Sequence, residues 1–195
     1  MAVTSRTPTA PTSLIAGGLL VAVSVAAELV HPVQASDGTS REPLLHAVYL
    51  IAWVVGWVLV ALAALDFRRL VAGRGRKGEI GSWLVIGGSA ALAISAVGQL
   101  IGIASGVYVE ALFVLFVIGL PLVAIGSALL GSALRERAGT AWIFLLVAAA
   151  GFLVAFLADM DPIHDIGLIG GAIATAAAGR ALRTGDNALQ IPSKA

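Results

Sequence analysis

Three histidines and a handful of carboxylates carry what chemistry this sequence offers. Glu28 and His31 stand three residues apart and share a face if they lie on a helix. Glu42-Pro43 reads as a helix start and puts His46 in the first turn after it. Asp161-Pro162 has the same form, an acid cap before proline at the first helical position. His164 and Asp165 then fall in the first turn of the helix that follows. Glu110 and Asp159 sit at the ends of apolar runs, and Gln99 lies about one turn inside one. Imidazoles together with carboxylates suit a zinc, manganese or iron ion. They equally suit a proton relay or a cationic solute.

A hydrolytic zinc site takes three protein ligands and keeps a position for water. The number of groups permits this, with His31, His46, His164 and Asp165 as the best ligand candidates. The spacing does not impose it, because the chain has no H-E-x-x-H, no histidine pair at i,i+4 and no H-x-H. No cofactor is expected beyond such a divalent ion. The same residues also fit plain helix ends. The helix dipole favours a carboxylate at an N-terminus, which accounts for Glu110, Asp161 and Asp165. Glu28 and Asp159 lie near C-terminal ends, where a carboxylate is disfavoured, so specific partners are expected first for these two. No Ser is flanked as G-x-S-x-G, and the run Ala72-Gly73-Arg74-Gly75-Arg76-Lys77-Gly78 lacks the surroundings of a phosphate-binding loop.

The elements that position these residues follow from composition. Of 195 residues, 59% are hydrophobic and only 12% charged, with a mean hydropathy of +0.99. An ordinary soluble domain is about 25% charged. So little charge excludes a soluble enzyme, a disordered chain and a nucleic-acid-binding protein. What remains is an all-α, polytopic membrane bundle with the lipid bilayer as its partner. Crossing ~30 Å of hydrocarbon takes about 20 helical residues. Residues 7–27, 43–65 and 138–158 carry no charge, and 80–134 carries only Glu110. That last stretch must form a hairpin, most simply at Ala104-Ser105-Gly106. Six helices are expected over 12–31, 43–65, 81–104, 107–132, 140–158 and 162–182, between an N-terminal segment (1–11) and a tail (183–195). The run 54–65 is apolar on every face, and in lipid this means helix rather than strand. The first helix has a second reading: Arg6, the apolar run from Leu14 to Ala27 and the small-residue site Val33-Gln34-Ala35 also resemble a secretory signal peptide.

Six spans sort the charges by side. Arg6, Arg68, Arg69, Arg74, Arg76, Lys77, Arg135, Arg137, Arg180, Arg183 and Lys194 fall on one face, leaving Arg41 as the exception. By the positive-inside rule that face is cytoplasmic, as are both termini. Glu28, Asp37, Glu42, Glu110, Asp159, Asp161, Asp165 and all three histidines fall on the other. Arg68, Arg69, Arg74, Arg76 and Lys77 could also hold anionic lipid. Gly98, Gly102 and Gly106, and Gly167, Gly171 and Gly179, form small-residue stripes of the kind that let helices approach closely. These stripes suggest that the third helix packs on the sixth, bringing Glu110 near His164 and Asp165. The serines inside the helices are expected to bond to their own backbone.

Gly126-Ser127-Ala128-Leu129-Leu130-Gly131, followed by Arg135-Glu136-Arg137 and Trp142, resembles a broad set of uncharacterised small six-span proteins of bacterial, especially actinobacterial, genomes. The resemblance implies a six-helix bundle in the cell membrane and brings no activity and no functional residue with it. Three functional readings follow: a non-enzymatic structural or accessory protein, an outward-facing binding or transport protein, and a membrane metal-dependent enzyme.

Overall fold

The computed structural model describes residues 10–33, 40–71, 76–106, 112–135, 139–158 and 162–188, with side chains except for 69–71 and 185–188. The described residues fold into helices α1 (Ala10–Val30), α2 (Pro43–Val71), α3 (Arg76–Ser105), α4 (Phe113–Leu134), α5 (Ala141–Leu157) and α6 (Ile163–Ala188). Helix is the outcome because an apolar run in lipid must pair every backbone group within itself. Five of the six are long and apolar enough to cross a membrane. α5 is equally apolar but has 17 residues, about 25 Å at the helical rise. Val23, Val58, Ile94, Ile118, Val147 and Ile173 all lie exposed on outward faces. An apolar surface spread over the whole bundle needs a hydrocarbon solvent. The chain is a helical membrane protein.

Each helix packs on its sequence neighbours, and α6 closes the circle by packing on α1. Aromatic side chains fill the middle of this ring. Trp57 of α2 meets Phe152 of α5 with ring centroids 5.5 Å apart. Trp53 lies 5.7 Å from Trp57 and 6.3 Å from Phe116 of α4. These separations are favourable for aromatic pairs. Trp57 and Phe152 are each only 1% exposed, so the ring has a packed core.

Glycines set how closely the hairpin partners approach. Gly17 faces Gly56 between α1 and α2, Gly88 faces Gly119 between α3 and α4, and Gly151 faces Gly167 and Gly171 between α5 and α6. A Cβ on Gly151 would lie 2.6 Å from the backbone nitrogen of Gly171, and one on Gly18 would lie 2.5 Å from the carbonyl oxygen of Ala172. Such contacts are how helices associate where the hydrophobic effect gives no drive.

The glycine stripes therefore do not join α3 to α6. Gly98 faces Leu112, Gly167 and Gly171 face α5, and Gly179 faces Pro11 and Leu14 of α1. Gly106 has no described residue against the position of a Cβ: it lies just beyond α3 at φ +70° and its N–H donates to the Gly102 carbonyl. This is a helix-ending glycine rather than a packing one. The physical reason is connectivity, since short links make consecutive helices neighbours. A small-residue stripe permits a close approach without naming the partner. The helices also run past the expected limits at the basic end, α2 to Val71 and α6 to Ala188. Pro121 lies inside α4, which continues on both sides of it.

Candidate functional site

The last turn of α1 and the first turns of α2 and α6 lie at the same end of the bundle, with the last turn of α5. Antiparallel neighbours require this arrangement. The polar residues there separate into distinct environments rather than forming one cluster.

His164 is the most firmly placed. Its Nδ1–H donates to the carbonyl oxygen of Ala155 at 2.6 Å. That carbonyl lies in the last turn of α5, where backbone acceptors have no helical donor. His164 therefore caps the neighbouring helix. The bond assigns the neutral ring's proton to Nδ1 and leaves the lone pair on Nε2. The ring also packs 5.9 Å from Phe116, so His164 tops the aromatic column that runs through Phe116, Trp53 and Trp57 to Phe152.

His46 enters the same core from α2. It is 3% exposed, and its Nδ1 has no hydrogen-bond partner among the described residues. His46, Leu50, Trp53, Trp57, Val60 and Ala64 form one buried stripe. Their alternating four- and three-residue steps are the signature of a single helix face. Trp53 and Trp57 reach across to α4 and α5, which fixes that face as the inward one.

Glu28 and His31 share a helix turn in the sequence, yet the structure gives them different surroundings. Glu28 is half-buried in the last turn of α1. Asp165 lies in the first turn of α6, the helix packed on α1, at the same end of the bundle. His31 lies outside, and its Nε2–H donates to Glu42 Oε1 at 3.0 Å. This pair ties the end of α1 to the start of α2, as does the Arg41 N–H donating to the Val33 carbonyl at 2.7 Å. Both members of the pair are more than half exposed. Gln99 is half-buried on α3, six residues before its end. Glu110, Asp159 and Asp161 lie outside the described residues.

Among the described residues, no three or more histidines and carboxylates come together closely enough to hold a metal ion. A groove of about 360 Å³ runs between α5 and α6, lined by residues including Val147, Val154, Ile163, Ile166 and Gly170. Among the described residues, no acid or histidine lines it.

Sequence reasoning missed Glu42 as the partner of His31, because the two meet only when α1 and α2 fold back on each other. It also missed the aromatic column, although the spacing of His46, Trp53 and Trp57 carries the signal for it. The serines divide. Ser82 Oγ donates to Gly78 O, four residues back, and Thr175 does the same to Gly171. The hydroxyls of Ser89 and Ser95 and the indole N–H of Trp57 are buried with no partner among the described residues.

No family model matches the chain, and no curated protein or solved structure matches it. Its function is therefore argued from its own geometry.

Proposed function

We propose that the chain is a multi-pass, non-enzymatic structural or accessory protein of the bacterial cell membrane, with its basic end and both termini cytoplasmic. The observation that carries this reading is the aromatic column. Phe152, Trp57, Trp53, Phe116 and His164 occupy the axis along which a solute would have to pass. Conducting pores and transporters of polar cargo are lined by polar groups, whereas this interior is mostly aromatic and aliphatic. The orientation rests on the placement of Lys and Arg. α1 packs on both α2 and α6, which supports its role as a permanent span.

The test is reconstitution into liposomes loaded with a pH- or potassium-sensitive dye. The expected result is flux no greater than in protein-free vesicles. Proton or cation flux that disappears in Glu28→Gln or Asp165→Asn overturns the reading. It would establish instead an outward-facing cation-binding or transport protein, the second reading, favoured by the half-buried placement of Glu28 at the end of α1. Stoichiometric zinc, manganese or iron in the purified protein, lost in His164→Ala, would equally overturn it in favour of a metal-dependent protein.

A further inference from the structure

The basic end repeats one arrangement at two places. Arg68 closes the apolar span of α2, and its guanidinium carbon lies 4.4 Å from the ring centroid of Trp83 on α3. Arg135 follows the last residue of α4, and its guanidinium carbon lies 5.5 Å from the ring centroid of Trp142 on α5. In both cases an arginine at the end of one helix lies over a tryptophan near the start of the next. Both separations are within cation–π range.

Neither arginine makes a hydrogen bond to a described residue. Arg68 forms a long, half-exposed ion pair with Glu79, Nη2 to Oε1 3.8 Å, which is beyond hydrogen-bond length and worth little at such exposure. Each guanidinium thus lies on an indole ring and gives no hydrogen bond to another described residue. Trp83 is 48% exposed on the outer surface of the bundle, where it meets lipid. Tryptophan prefers the headgroup level of a bilayer, so the paired arginine stands at the depth of the lipid phosphates. A planar, pre-oriented guanidinium matches a phosphate in two-pronged geometry, which an ammonium cannot do. Arg76 and Lys77, both exposed at the start of α3, add positive charge beside the first pair.

We propose that Arg68 on Trp83 and Arg135 on Trp142 are two headgroup sites that each hold the phosphate of an anionic membrane lipid. The proposal requires a membrane-embedded chain and is independent of whether the bundle conducts. A guanidinium that only capped a helix end would treat all lipids alike and would tolerate lysine.

The experiment is native mass spectrometry of the full-length, detergent-purified chain titrated with phosphatidylglycerol, phosphatidylcholine or inorganic phosphate. Two phosphatidylglycerol molecules are expected to be retained per chain, with phosphatidylcholine held about tenfold more weakly. Arg68→Lys and Arg135→Lys, which keep the charge and the stem, should each remove one retained lipid. The double variant should remove both, while its thermal unfolding in detergent alone stays that of the wild type. Equal retention of both lipids, or full retention by the double lysine variant, overturns the proposal. Competition by millimolar phosphate that displaces both lipids overturns it too, since it would make these free-anion sites.

Discussion

At the acid and histidine end, side chains turn into the bundle or bridge its helices. His46 is buried on the inward face of α2, His164 caps α5 and lies on Phe116, and Glu28 is half-buried at the end of α1. At the basic end the described arginines turn outward, Arg68 onto the exposed Trp83 and Arg135 onto Trp142. The difference follows from side-chain length and hydration. A long arginine can lay its stem along apolar surface and keep its head in the interface. Imidazole and carboxyl groups on short stems stay where the helix places them and need partners there. One end is therefore a matter of internal structure, and the other of contact with the surroundings.

The contrast breaks most completely if the shared core is removed. Phe152→Ala or Trp57→Ala should cost about 3–5 kcal/mol, seen as a large fall in Tm in detergent. A small fall would show that the column does not hold the ring. Gly18→Leu should cost about 1–3 kcal/mol by forcing α1 away from α6, and it should spread or shift the gel-filtration peak. A normal peak and Tm would mean that α1 is not clasped as described. His164→Ala should destabilise by about 1–3 kcal/mol through the unpaired Ala155 carbonyl, with hydrogen exchange rising first at the end of α5. Exchange spread evenly over the chain would argue against the cap.

Smaller effects sharpen the same contrast. Glu28→Gln should leave Tm unchanged or slightly raised, because it replaces a half-buried carboxylate by a neutral group of the same shape. A clear fall would reveal a cation held by Glu28 and favour the second functional reading. His31→Ala should change stability by under about 1 kcal/mol, as exposed ion pairs contribute little. A larger loss would show that this link governs how α1 and α2 join.

Much of this layout was legible in the residues. The lack of charge over 43–65 and 138–158 marked α2 and α5, and the Gly106 turn was readable as the end of α3. The pairing of His164 with Ala155 was not. A backbone carbonyl leaves no trace in sequence, and α5 exposes that acceptor only because the helix stops there. The packing of α1 on α6 was equally hidden, because it joins the first and last helices of the chain. The sequence-level expectation placed α6 against α3 instead.

By itself, the sequence determined the class of protein, the helices and the sorting of charge between the two ends. These follow from local rules: in lipid the backbone must satisfy itself, and charge must stay near water. Only the tertiary structure decided which glycine meets which helix, which carbonyl His164 caps, and that one histidine lies in the core while another faces water. Many pairings of apolar helices are locally equivalent. Only the long-range fit of backbones and large side chains selects one of them.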